Sequence, residues 1–132
     1  MVLTVKIIAP DKVVWDGTAD EVILPSATGE LGILSNHAPL VSALGIGVLQ
    51  VKSKGQTTKL AVMGGFVEVE NNEITILANG AAQSDQINEQ ETREQLARAQ
   101  KILEGTQDPS DQLSAKTEIQ RANAKLRAIG KS

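Results

Sequence analysis

The chain has 132 residues, 41% of them apolar and 22% charged, which allows one domain with a core, or one compact domain with a small appendage. The absence of cysteine excludes a disulfide framework, a thiolate metal site and a thiol nucleophile, and a single histidine, His37, excludes a multi-histidine metal site. A net charge of -3 with only Trp15 and Phe66 as aromatics supplies neither the basic field nor the stacking platform that nucleic acid requires.

From the N-terminus, Leu3, Val5 and Ile7 alternate with Thr4 and Lys6, a period of two that predicts a half-buried strand. The period recurs at Leu49 and Val51 against Gln50 and Lys52, at Val67 and Val69 against Glu68 and Glu70, and at Ile74 and Ile76 around Thr75. Turn residues punctuate these runs at Pro10-Asp11-Lys12, Asp16-Gly17, Ser53-Lys54-Gly55, Gly64-Gly65 and Asn71-Asn72, each fixing φ or tolerating positive φ. About eight to ten short antiparallel strands at this spacing bury their inner faces only in two stacked sheets or a flattened barrel. Residues 1–83 are therefore expected to form a β-sandwich.

From residue 84 onward Ala, Gln, Glu, Arg and Lys take over, all helix formers. Asn88 with Glu91 has the spacing of a capping box, and Thr92, Leu96, Ala99 and Leu103 then hold one helical stripe. Gly105 is placed to end this helix as a left-handed cap. Asp108 and Pro109 start a second helix as cap and first helical residue, with Ala115, Ile119, Ala122, Leu126 and Ile129 as its stripe. Helices over about 89–104 and about 109–129, joined by a short turn, make residues 84–132 an antiparallel hairpin.

The hairpin's seams are thin and rich in alanine. A buried Leu or Ile contributes roughly 1.5–3 kcal/mol and a methyl group only about 0.8, while ordering each residue costs roughly 1–2 kcal/mol of backbone entropy. Such a hairpin is expected either to be weakly held and able to move to a surface that competes for the same stripes, or to be an ordinary stabilising hairpin packed permanently on the sandwich. From residue 111 to the end, five basic residues (Lys116, Arg121, Lys125, Arg127, Lys131) face two acidic ones (Asp111, Glu118), a net +3 on a chain of -3. Cations edging an apolar stripe suit an acidic partner.

Residues 25–40 lack clean alternation and mix Gly29, Gly32 and Pro39 with Leu31, Ile33 and Leu34. Those apolar residues and Leu40 cannot all point inward, so an exposed apolar edge is expected beside Glu30. His37 with Ser35 or Asp20 could be read as a hydrolytic dyad, but the Gly-x-Ser-x-Gly pattern is absent. No Gly-Lys-Ser/Thr follows Gly64-Gly65, and Asp108 and Asp111 are too few oxygens for calcium. No enzyme site, metal site or cofactor is expected. No apolar run approaches the roughly 20 residues of a membrane span. The start of the chain lacks the order of a signal peptide, so a cytoplasm-like compartment is expected.

Gly29-Glu30-Leu31-Gly32-Ile33-Leu34, Asn36-His37-Ala38-Pro39-Leu40, Met63-Gly64-Gly65-Phe66 and Asn72-Glu73-Ile74-Thr75-Ile76-Leu77-Ala78 together resemble the epsilon subunit of F-type (rotary) ATP synthases. Val14-Trp15, the Gly-Gly-Phe run and the short length look most like the cyanobacterial and plastid branch. The resemblance spans the whole chain and implies a non-catalytic subunit of the central stalk, peripheral on the cytoplasmic or stromal face of a thylakoid or plasma membrane. It implies that the sandwich sits against the gamma subunit and the polar loops of the c-ring, with Gly29, Glu30, Leu31, Gly32, Ile33, His37 and Pro39 in the contact region. It further implies that the hairpin inhibits ATP hydrolysis, with Lys116, Arg121, Lys125 and Arg127 meeting an acidic loop of the catalytic beta subunit. Some bacterial members bind ATP through Ile/Leu-Asp-x-x-Arg-Ala; here the stretch is Ile87-Asn88-Glu89-Gln90-Glu91-Thr92, with Asn for Asp and a carboxylate where the Arg would clamp phosphate. No ATP binding is expected. Two other readings are a freestanding β-sandwich binding module whose hairpin is structural, and a hydrolase using His37.

Overall fold

In a computed structural model of the chain, residues 2–131 are described. Met1 and Ser132, the outer limits of the two expected segments, lie outside them. Eight strands form first: β1 (Leu3–Ala9), β2 (Lys12–Ala19), β3 (Glu21–Ser26), β4 (Gly29–Leu34), β5 (Leu40–Ser53), β6 (Gln56–Glu70), β7 (Glu73–Ala78) and β8 (Ala81–Gln83). A 3₁₀ turn at Ser84–Gln86 leads into α1 (Glu89–Gly105) and α2 (Pro109–Ala128).

The strands make one hydrogen-bonded path, β2-β1-β7-β6-β5-β3-β4, with β8 on β6, folded over itself into a sandwich. The alternations read from the sequence supply the core: Leu3, Val5 and Ile7, then Leu49 and Val51, Val67 and Val69, and Ile74 and Ile76 are all buried. One pair departs from the antiparallel expectation. β1 runs parallel to β7, from Thr4 opposite Glu73 to Ile8 opposite Leu77, which is possible because the whole chain between them serves as the crossover.

The fold-over depends on a change of face within β5 and β6. In β6, Leu60 and Val62 point into the core at one end and Val67 and Val69 at the other, so the inward parity switches from even to odd. In β5 the switch lies between Leu44 and Leu49. Pairing passes from Leu44 opposite Gly65 to Ile46 opposite Met63 with the register unchanged, so Gly45 and Gly64, opposite one another, drop out of the ladder together and both strands kink there. Gly64-Gly65, expected as a turn, is thus a corner inside a strand, with φ of 83° and 137°. Asp16-Gly17 is likewise strand: Gly17 pairs with Val5, and the Trp15 ring lies over the space a side chain there would fill. The expected turns at Lys54-Gly55 and Asn71-Asn72 form with consecutive positive φ, the geometry of two-residue hairpins.

The helices start where their caps predict. Asn88 Oδ1 accepts from the Glu91 N–H at 2.9 Å, and Asp108 Oδ1 from the Ser110 N–H at 2.9 Å, with Pro109 in the first turn. Gly105 is not a left-handed cap. It is the last helical residue, and the chain leaves through an extended Thr106, whose Oγ1 accepts from Asp108 N–H and donates to Asp111. The glycine that does terminate a helix is Gly130 (φ 75°): its N–H reaches the Arg127 carbonyl and that of Lys131 the Leu126 carbonyl, a Schellman arrangement.

α2 carries the hairpin's main contact with the sandwich. Ala115, Ala122 and Leu126 are buried as the stripe predicts, but Ala124 and Ala128, on the opposite side of the helix, are buried as well. These two pack with Ala61 against Ile46, Val48, Met63 and Ile87, on the outer face of β5 and β6. α2 is therefore covered on two sides by small side chains.

Two expectations follow. A methyl group at Gly65 would drive into the Leu77 carbonyl oxygen at a φ of 137°, so Gly65→Ala should cost about 3 kcal/mol or more. Gly55→Ala, at a φ of 78° with nothing within 4 Å, should cost about 1 kcal/mol, both read as urea midpoints at constant slope. Asp108 is held below the ordinary carboxylate range by the backbone N–H and the hydroxyl of Ser110. A lowered native value means that the cap stabilises α2 above the unfolded-state pKa and is lost as pH falls through the native value. Amide exchange at the start of α2, at matched intrinsic rate, should rise below about pH 4, and Asp108→Ala should abolish that pH dependence.

Candidate interface and switch residues

The 25–40 stretch is more regular than its composition suggests. β3 and β4 form a hairpin in which Leu31 lies opposite Leu24 and Ile33 opposite Val22, and Ile33 is fully buried. Leu31 and Leu40 pack partly buried against the same core. Only Leu34 is left out, 58% exposed, and it sits at the far end of β4 rather than beside Glu30. Glu30, exposed and opposite Pro25, flanks the β3–β4 turn. His37 and Pro39 lie in the loop past the other end of the strand, so about 13 Å of extended backbone separates Glu30 from Leu34 alone. The residues expected to form one contact region thus fall into two groups, at opposite ends of one strand.

His37 is half-buried, and its Nδ1 donates to the Ala38 carbonyl at 2.7 Å. Asp20 Oδ2 accepts instead from the Lys54 N–H at 3.1 Å, so the dyad reading has no orienting carboxylate for the ring. The loop is held from outside: the Asn36 N–H donates to Asn72 Oδ1 at 2.6 Å.

The two outer faces of the sandwich differ. On one, Ile46, Val48, Ala61 and Met63 lie beneath α2. On the other, pairing aligns Ala43, Phe66, Leu77, Ile8 and Val13 in a row across five strands. Phe66 is 60% exposed, Leu77 53% and Val13 50%, and among the described residues nothing covers them. Val41, 72% exposed, lies on the same face of β5 as Ala43. This row was absent from the sequence expectations, although Val67 and Val69 facing inward already forces Phe66 outward.

The four helix cations separate into two pairs. Lys116 and Arg127 are exposed, and Arg127 shares a cleft of about 410 Å³ with Glu30 and Lys59. Arg121 and Lys125 are part-buried and engaged within the hairpin. Arg121 donates to Glu118 Oε1 at 2.9 Å, Gln95 of α1 donates to Glu118 Oε2 at 2.7 Å, and Lys125 donates to Gln95 Oε1 at 3.3 Å. Arg121 Nε is buried without a partner among the described residues. Gln95 and Glu118 thus cross-link the helices and occupy two of the cations. Beside this network Asn88, Glu91, Glu94, Arg98 and Lys125 line a cavity of about 370 Å³. Asn88 Oδ1 is spent there on the helix cap, and two carboxylates oppose the two cations.

A sandwich with a two-helix hairpin docked on one outer face is the architecture of the delta and epsilon subunits of ATP synthases. Residues 2–84 match the family described as "ATP synthase, Delta/Epsilon chain, beta-sandwich domain". Over 98% of its length the chain is 52% identical to the ATP synthase epsilon chain of Thermosynechococcus vestitus and 51% to that of Acaryochloris marina, covering 96% of each. It is 50% identical to that of Synechocystis, covering 98% of both chains. Its fold matches a chain of the Euglena gracilis mitochondrial ATP synthase structure (OSCP/F1/c-ring, rotational state 1) with a TM-score of 0.86 at 18% identity, covering 96% of this chain and 80% of that one. A chain from the Tetrahymena thermophila central stalk/c-ring structure matches with a TM-score of 0.62 at 16% identity, covering 96% of each. The chain belongs to the ATP synthase epsilon chain family, the non-catalytic subunits of the central stalk. Among the described residues no helix is long and apolar enough to cross a membrane.

Proposed function

We propose that the sandwich joins the gamma subunit to the polar loops of the c-ring, and that the hairpin restrains ATP hydrolysis by leaving the sandwich for an acidic loop of the beta subunit. The observation that carries the first part is the bare row through Phe66 and Leu77: of two apolar outer faces, the chain covers one with its own helix and leaves the other to a partner. Gamma is assigned to that row, and Glu30 at the β3–β4 turn and His37 at the opposite loop to the ring and its junction with the stalk. The relatives' cyanobacterial origin supports placement on a thylakoid membrane, peripheral and on the cytoplasmic side. Burying Phe66 contributes roughly 1.5–3 kcal/mol, so Phe66→Glu should weaken binding to isolated gamma at least about tenfold. The sandwich should stay folded by circular dichroism; unchanged affinity would remove gamma from this face.

For the hairpin, support comes from the alanine contact of α2 and from the internal occupation of Arg121 and Lys125. Extension would exchange Glu118 and Gln95 for a partner's carboxylates while Lys116 and Arg127 approach from the other edge. The two carboxylates beside Asn88 make this exchange independent of ATP, which the chain is not expected to bind. In the reconstituted complex, truncation after Gln86 should raise the hydrolysis rate. The cut spares Gln83, whose amide donates to the Val14 carbonyl at 2.9 Å. Glu118→Gln should act in the opposite sense, deepening inhibition by roughly threefold, the effect of losing one partly exposed charged pair. Equal hydrolysis in all three complexes would reduce the hairpin to a structural cover.

A further inference from the structure

Asn36, Asn71 and Asn72 all have left-handed backbones, with φ of 66°, 50° and 61°. Asn71 and Asn72 form the tight turn between β6 and β7, whereas Asn36 sits in the His37 loop, 36 residues from Asn72. Asn72 meets that loop with both ends of its amide: Oδ1 accepts from the Asn36 N–H at 2.6 Å, and Nδ2 faces Asn36 Oδ1 at 3.4 Å. Its own carbonyl accepts from the Thr4 N–H at 2.8 Å, so one residue ties the start of β1, the β6–β7 turn and the loop together. Within the loop, the His37 N–H donates to the Leu34 carbonyl at 3.2 Å and the ring Nδ1 to the Ala38 carbonyl. The ring's Nε2 has no partner among the described residues.

We infer that Asn72 is the positioning residue of the His37 loop. It fixes the left-handed turn at Asn36 from outside and thereby sets where His37 and Pro39 stand. This rests on the reading above that the loop is a contact of the stalk assembly. Two features separate Asn72 from an ordinary turn residue. Asn71 has the same backbone conformation without the clasp, and a five-residue loop between β4 and β5 has few bonds of its own to define its path. A short hydrogen bond from a backbone N–H to a side chain fixed by its own turn supplies that definition without adding length to either strand.

Because glycine and aspartate both tolerate a left-handed φ, the test leaves the turn intact. Asn72→Gly removes the clasp. Asn72→Asp keeps the acceptor for the Asn36 N–H but loses the donor. Asn71→Gly alters the neighbouring residue alone, and His37→Ala tests the loop itself. Amide exchange of Asn36 in the free protein should speed up about tenfold or more in Asn72→Gly, as expected for loss of a net ~1.4 kcal/mol bond. It should recover partly in Asn72→Asp and not move in Asn71→Gly. In the reconstituted membrane complex, protons pumped per ATP hydrolysed should fall in Asn72→Gly and His37→Ala and recover partly in Asn72→Asp. If His37→Ala lowers the ratio and Asn72→Gly does not, the positioning role is overturned and the contact reading survives. If neither lowers it, the contact reading falls and this inference with it. An equal loss in Asn71→Gly, or unchanged exchange at Asn36, would also overturn the role of Asn72.

Discussion

Everything in this molecule follows from the change of face that β5 and β6 make at Gly45 and Gly64-Gly65. Two strands of 14 and 15 residues are too long for one layer of a small sandwich. By switching inward parity at the glycines they serve both layers, and the sheet closes over a single core without an interrupting loop. The same switch decides what lies outside. On one side of the corner the outward residues are Ile46, Val48, Ala61 and Met63; on the other they are Val41, Ala43 and Phe66. A sheet that is apolar on both faces must be covered twice, and this chain brings only one cover.

That cover is α2, and its contact with the sheet is built on small side chains. Ala124, Ala128 and Ala61 let the helix approach the sheet closely, but each contributes only about 0.8 kcal/mol per methyl buried. α1 adds its weight through α2 and little else. Polar links at the flank, Gln95 with Glu118 and Lys131 with Glu89 at 4.0 Å, are partly exposed and individually weak. A leucine-rich seam in the same place would hold the hairpin permanently. An alanine seam with charged flanks is what the proposed movement of the hairpin to a partner of modest differential affinity requires.

Much of this was legible in the sequence because period, caps and turns are local signals. The inward strands, both helix starts and the alanine stripe toward α1 came from spacing alone. What escaped depended on pairing between distant residues. Gly64-Gly65 carries the same composition whether it is a turn or a kink within a strand, and only the long partner strand opposite makes it a kink. Ala124 and Ala128 are good helix formers on any face, so nothing marked them as a second contact. Glu118 looked like a minority charge on a basic helix, although it is what occupies Arg121. Glu30 and His37, seven residues apart in tandem motifs of one expected contact region, are separated because β4 runs straight between them.

The separation of Glu30 from His37 gives the two proposed attachments different mechanical characters. β4 is an edge strand, but it pairs along its whole length with β3, which pairs in turn with β5, and Ile33 and Leu31 anchor it to the core. A load applied at the β3–β4 turn therefore reaches the His37 loop through a strand that cannot bend without uncovering those side chains. The hairpin has no such backing: it touches the sandwich through one helix face and shares the cleft of Arg127 and Glu30 with the β3–β4 turn. The proposed function asks for both behaviours, a body that transmits force without yielding and an arm that yields without disturbing the body. Confining the arm's contact to the outer surface of the sheet, away from the core that β4 is anchored in, is how one short chain can provide the two together.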